Sequence, residues 1–177
     1  MNHVEFDWDF ENLRHIARHG VSPEEAEDVL VNDSVDLGDE YIEGEWRFNS
    51  LGFTRSGRML IVVATMRRER IRVVTSFVPS AKLIHEFLEQ GSDLTMLKVP
   101  KFETERAEAD WWYDNRDLLE EEFLKAIKSG VRPGPSRALR RLAEIRGVTL
   151  EEIQATLRAH SSDPAELTSL PKLPRSA

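Results

Sequence analysis

The chain has 177 residues, a hydrophobic content of 40% and no cysteine, which fits one or two compact units and removes disulfides, thiolate catalysis and cysteine metal sites together. No apolar run reaches the ~18 residues of a spanning helix and no signal-peptide pattern opens the chain, so a soluble, cytoplasmic protein without membrane attachment is expected. The net charge of −8 argues against a generic polyanion binder, yet the charge is uneven: from Trp46 to His85 the sole acid, Glu69, is set against Arg47, Arg55, Arg58, Arg67, Arg68, Arg70, Arg72 and Lys82.

The first predicted element is a helix over Phe10 to Arg18. The spacing of three and four places Asn12, His15 and His19 on one stripe of it. Three readings of this stripe compete: a structural or solvated pair, a phosphate or acid/base site, and half of a zinc site. Structural zinc wants four ligands and no further histidine or cysteine cluster is in reach, so no metal and no cofactor is expected. Gly20 stops the helix, and "SPEEA" starts a second over Pro23 to Val31, with Ser22 as N-cap, Pro23 in the first turn and Glu25 closing a capping box.

The apolar period then changes to that of strands. A short strand is expected around Val35 to Leu37, followed by "WRFNSLGF", a "TRSGR" turn with Gly57 at positive φ, the fully buried strand "MLIVVATM", and "RIRVVTSF". These form an antiparallel meander. Alternation puts Arg70 and Arg72 on one face and Ile71 and Val73 on the other, which implies a sheet with one cationic face. "AKLIHEFLEQG" is an amphipathic helix that covers one side of the sheet, and "GSD" after it reads as a linker.

The second half begins with a proline-fixed segment and continues in two helical patterns, the first capped by Thr104 and the second by Asp117. Trp111, Trp112 and Tyr113 stand side by side, so either a partner surface or the packing of the segment's own helices receives them. Beyond Gly130 come a basic helix with Arg137, Arg140 and Arg141, a break at Gly147, and a helix capped by Thr149 with Glu152 as its box partner. From Ser161 onward the composition is that of a disordered tail.

"FDWDFENLRHIARHGVSPEEAEDVL", with "SGR" before a hydrophobic strand and "RIRVV" after it, resembles the BrnT family of bacterial toxins, small ribonucleases of RelE-like fold, over about residues 4 to 90. "KVPKFETERAEADWWYDNRDLLEEEFLKAIKSG" is similar to the N-terminal region of BrnA-like, CopG-type antitoxins, and Met96 sits where such an antitoxin begins. The resemblance implies an α+β, RelE-like toxin domain (two helices, antiparallel sheet, one helix) over 1–90, a linker over 91–95, and an all-α antitoxin-like segment over 96–130. A helix-turn-helix or ribbon-helix-helix-like pair over 131–160 and the tail over 161–177 complete this toxin and antitoxin fusion. It implies a type II toxin-antitoxin protein with a metal-independent endoribonuclease of messenger-RNA interferase type, inhibiting translation and growth and held inactive by the antitoxin segment in cis, or in trans from another copy. RNA is then the substrate, and operator DNA and a homodimer are further partners to consider.

Cleaving RNA through its 2′-hydroxyl needs a proton acceptor, a donor for the leaving 5′-oxygen, and cations on the phosphorane. The resemblance therefore assigns His19, with His15 beside it, to acid/base work, and Arg58 and Arg72 to the catalytic cations. Arg47 joins them as a phosphate contact, Arg67, Arg68 and Arg70 lie along the RNA path, and Trp8 stacks on a base or staples the first helix. Where BrnT-like toxins usually read "ISAR" at the end of the last strand, this chain reads "VTSF", Val74 to Phe77, so one cation of the family pattern is missing. In the antitoxin-like part, Asp117, Glu120, Glu121 and Glu122, together with Trp111 and Trp112, are the expected inhibitory contact with the arginines. Two alternatives stand beside this reading: a catalytically inactive RelE-like binding module, and a DNA-binding autorepressor. Pro133 and Pro135 weigh against the second, because they fall where a ribbon strand would pair.

Overall fold

A computed structural model describes residues 6–42, 44–89, 100–129, 131 and 133–160. The expected linker, the start at Met96 and the tail over 161–177 lie outside the described residues.

The two N-terminal helices form as their caps dictate. In α1 (Phe10–Arg18) Asp9 accepts the Glu11 and Asn12 backbone N–H groups while the Asn12 side chain returns a bond to Asp9 N, a reciprocal box. In α2 (Pro23–Val31) Ser22 and Glu25 make the second box and Pro23 occupies the first turn. Gly20, at φ 67, turns the chain between them.

Four antiparallel strands follow: β1 (Asp33–Ile42), β2 (Glu45–Phe53), β3 (Met59–Arg67) and β4 (Arg70–Phe77). The first is longer than the Val35 to Leu37 expected, because a bulge between Asp36 and Asp39 lets the pairing with β2 continue past Gly38. Gly57 turns β2 into β3 at φ 81. After β4 come α3 (Ala81–Glu89), α4 (Glu105–Asp114), α5 (Arg116–Lys128), β5 (Gly134–Pro135), α6 (Arg137–Arg146) and α7 (Leu150–His160). Thr104 caps α4 as expected, whereas α5 starts at Arg116, one residue before Asp117, with Asn115 rather than Asp117 at its N-cap.

The sheet order is β4-β3-β2-β1-β5. Residues 134–135 pair with Asp33 and Ser34, so the region expected to be wholly helical adds an edge strand. Pro135 is tolerated there because the outer side of an edge strand needs no donor.

Each face of the sheet carries its own core. On one face, Phe48, Leu60, Val62, Ala64, Ile71 and Val73 pack with α1, α2, α6 and α7. On the other, Leu51, Ile61, Val63, Val74 and Phe77 pack with α3, α4 and α5. The helical pair α6–α7 thus shares the core of the N-terminal part: Leu139, Leu142 and Ile153 meet Val29 and Leu30, and buried Ser136 Oγ donates to Leu30 O at 2.7 Å. Arg137 of α6 is paired within the chain, donating to Asp39 at 3.2 Å.

Candidate active site

The polar stripe of α1 faces the outer edge of β4, whose carbonyls would otherwise lack partners. Asp7 N donates to Ile71 O at 2.8 Å, Asn12 Nδ2 to Val73 O at 3.2 Å, and His15 Nε2 lies 3.0 Å from Thr75 Oγ1. A bulge assists, because Val63 and Ala64 pair with Thr75 and Val73, leaving Val74 as the extra residue. His15 and His19 are therefore neighbours with their Nε2 atoms 3.2 Å apart. Arg18 donates to His15 Nδ1 at 2.7 Å, which places the proton of neutral His15 on Nε2, shared between Thr75 and His19.

Both imidazoles are held neutral at pH 7. Burial and the Arg18 guanidinium lower His15. Burial, then His15 and Arg18, push His19 down to about 4. The source of that burial includes Tyr113 of α4, whose ring stacks on His19 at 3.7 Å and 15°.

On the face toward α4, Arg47, Thr65 and Arg72 stand in register across β2, β3 and β4. The cationic part of that face is confined to this end; further along the same positions are Leu51, Ile61 and Phe77 of the core. The arginines are buried and met by carboxylates. Arg47 donates through Nε and Nη2 to the two oxygens of Glu108 at 2.5 and 2.6 Å, and through Nη1 to Glu45 and Thr65, each at 3.0 Å. Arg72 donates to Glu105 and to Asp9, each at 2.7 Å. Glu105 also reaches Arg67 at 3.1 Å. Burial would raise Asp9, but the Asn12 N–H and Arg72 hold its carboxyl below the usual range. Asp110 completes the row, 3.1 Å from Arg18 and 3.5 Å from His15 Nδ1.

Between α1, β4 and α4 remains a cleft of about 290 Å³, lined among others by His15, Arg18, Arg67, Arg72, Glu105 and Arg106. His19 does not line it, because Tyr113 covers the ring. Among the described residues no group of His, Cys, Asp and Glu is placed to hold a metal ion, and no helix is long and apolar enough to cross a membrane.

The expected site residues thus divide. Arg47, Arg67, Arg72, His15 and His19 come together beneath α4. Arg58 does not: it donates to Glu25 at 2.9 Å and to Gly20 O at 2.8 Å, seven residues along β3 from Thr65 and so about 20 Å from the Arg72 row. Trp8 is a staple rather than an open stacking platform, packed on the first core with its Nε1 donating to Glu27 at 2.7 Å. Arg68 and Arg70 are exposed at the β3–β4 turn.

The carboxylates that contact the arginine row lie one helix earlier than the acidic run expected to do so. Glu120 accepts from Ser80 N at 2.8 Å and so anchors α3, Glu122 pairs with Lys125, and Asp117 and Glu121 are exposed; none meets an arginine of the row. The carboxylates that do are Glu105, Glu108 and Asp110. Trp112 is buried in the second core and donates to Glu108 at 3.2 Å, while half-buried Trp111 packs on Phe102 and Trp112. The readable signal was Glu105 and Glu108 three apart on one face of a capped helix. Thr75 and Tyr113 had no such signal.

No curated protein matches the chain. The segment from α1 to β4, which holds both histidines and every arginine of the row, is another matter: residues 8–77 match the family model for the ribonuclease toxin BrnT of type II toxin-antitoxin systems.

Proposed function

We propose that residues 6–89 form a ribonuclease of toxin type and that α4, backed by α5, holds it inactive within the same chain. The observation that carries this reading is the carboxylate of Glu108 in the fork of Arg47, with Glu105 across Arg67 and Arg72. A guanidinium fork grips a phosphate with the same two parallel bonds, so α4 fills the track that an RNA backbone would follow.

Once α4 has left, Arg47 and Arg72 receive the scissile phosphate and its neighbour. With its ring uncovered, His19 exchanges the Nε2 bond to His15 for one to the 2′-hydroxyl and accepts its proton, and the oxygen attacks phosphorus. The P–O5′ bond breaks, the histidine pair returns a proton to the leaving 5′-oxygen, and a cyclic phosphate and a 5′-hydroxyl result. Loss of the Tyr113 stack raises His19 toward its ordinary range, where an imidazole serves both as base and as acid. The second reading, an inactive binding module, draws on Phe77: the position where the family pattern carries a cation is 1% exposed and packed edge-on to Tyr113.

Expression of the full chain, of Glu105→Gln/Glu108→Gln and of that pair with His19→Ala separates the two. Growth arrest by the doubly substituted chain alone supports the ribonuclease; growth unaffected by all three, with the proteins folded, overturns it.

A further inference from the structure

Two buried oxygens beside the arginine row make no hydrogen bond. Asn49 follows Arg47 by two residues on β2, so its side chain points to the same face, toward α4 and α5. It is 1% exposed, and its Oδ1 has no partner among the described residues. Glu40 of β1 stands directly across from Arg47 and so on that face too; it is half-buried, with Oε2 buried and equally without a partner among the described residues. Arg47 serves neither, because its Nε, Nη1 and Nη2 go to Glu108, Glu45 and Thr65. Burial alone pushes Glu40 up to about 7.

Buried polar atoms nearly always find partners, and one left without costs stability that an apolar residue at the same position would keep. Asn49 lies among apolar neighbours, Leu51 on its own strand and Val63 across from it, where a leucine would pack without that cost. With Glu40 ionised, both unpaired atoms are acceptors. Diagonal neighbours across an antiparallel pair stand about 7–8 Å apart, within reach of long side chains. The missing group is therefore a donor, beside an arginine shaped to take a phosphate. A splayed nucleobase carries such donors on its Watson–Crick edge. Guanine offers most, N1–H and both hydrogens of its N2 amino group, whereas uracil offers a single N–H.

We propose that Glu40 and Asn49 form a base-reading pocket for guanine, next to the phosphate that Arg47 holds once α4 has left. The proposal rests on the ribonuclease reading and deepens it, since it names the base beside the cleaved bond. The Glu40 carboxylate accepts N1–H and one N2–H in parallel, as a carboxylate accepts the two N–H groups of a guanidinium fork, and Asn49 Oδ1 accepts the second N2–H. In the closed chain the core built by α4 and α5 covers Asn49, so the pocket and the arginine row are released together.

The test is fluorescence anisotropy of two labelled 2′-O-methyl oligoribonucleotides of about 12 nucleotides, alike except that inosine, which lacks the N2 amino group, replaces every guanine in one. Each is titrated with the chain opened by Glu105→Gln/Glu108→Gln, or by Glu105→Gln alone where circular dichroism shows the pair unfolded. Inosine is expected to weaken binding about tenfold, and by less than about twofold once Asn49→Leu or Glu40→Gln is added. A merely structural role would weaken both oligonucleotides alike. Equal binding of the two by the opened chain, a guanine preference that both variants keep, or no binding at all overturns the pocket. In the parent, Asn49→Leu is expected to hold or raise the midpoint of urea denaturation, since no hydrogen bond is lost; a fall in the midpoint overturns the pocket as well. Cleavage of ordinary RNA by the opened chain without regard to guanine would remove this pocket and leave the ribonuclease. Guanine-dependent binding through Asn49 with no cleavage by any variant would do the reverse.

Discussion

Tyr113 lies flat on His19, at 3.7 Å between ring centroids, and it belongs to the helix whose Glu105 and Glu108 meet Arg72 and Arg47. One helix therefore neutralises the cations and dries the imidazole together. His19 is expected to titrate near 4 in the full chain, and Tyr113→Ala to bring it back toward 6.5. Histidine ¹H–¹⁵N spectra against pH measure both values.

The same shift gives opening a pH dependence with a definite sign. Covered by α4, His19 binds its proton near 4; uncovered, it binds near its ordinary value. Between those two values the open state holds more protons, so acidification favours opening and raising the pH favours closure. The charged and titratable groups around the ring, His15, Arg18, Asp110 and Arg116, all lie on α1, α4 or α5. Amide exchange in α4 is expected to speed up relative to that in β3 as pH falls from 7.5 to 5, after correction for the intrinsic rate.

Glu108→Gln leaves Arg47 buried with its fork half satisfied, and removing one partner of a buried pair costs about 3–5 kcal/mol. Replacing both at once, Arg47→Met with Glu108→Leu, is expected to cost far less, because apolar side chains of like volume need no partner. Urea denaturation of the two variants distinguishes a desolvated ion pair from a solvated one.

Leu139→Ala removes a side chain with no exposed surface from the core shared by α2, α6 and the sheet, at an expected cost of about 2–5 kcal/mol. Deleting residues 136–177 strips Leu139, Leu142 and Ile153 from that core, each worth roughly 1.5–3 kcal/mol. The deleted chain is expected to lose its cooperative thermal transition. Release of the site is therefore to be sought by substitution in α4 rather than by truncation.

Arg58→Ala is expected to leave the rate of any opened variant within about twofold and to cost no more than about 1 kcal/mol, the usual worth of a partly exposed pair. A rate loss of a hundredfold would return Arg58 to the chemistry.

The elements with local signals were legible before any coordinates. Ser22, Pro23 and Glu25 fixed the start of α2, Gly57 fixed a hairpin, and alternation put Arg70 and Arg72 on one face. The extent of β1 was hidden because its bulge at Asp36 to Asp39 interrupts the alternation on which strand reading depends. The histidine stripe was seen, but its first duty, closing the edge of β4 through Asn12 and Thr75, depends on contacts about 60 residues away in the chain. The carboxylates that meet the arginines are expected in the densest acidic run, "DLLEEEF", and lie in α4 instead. Charge density favoured that run; position on the sheet favours Glu105 and Glu108, and nothing local to either segment reveals which helix lies over Arg47.

The most direct measurement is one rate, the cleavage of a single-stranded RNA by purified full chain before and after Glu105→Gln/Glu108→Gln. The parent is expected to be near background, the substituted chain at least a hundredfold faster, and the added rate to vanish with His19→Ala. A substituted chain that folds, uncovers His19 by titration and still cleaves no faster than the parent would contradict the ribonuclease reading.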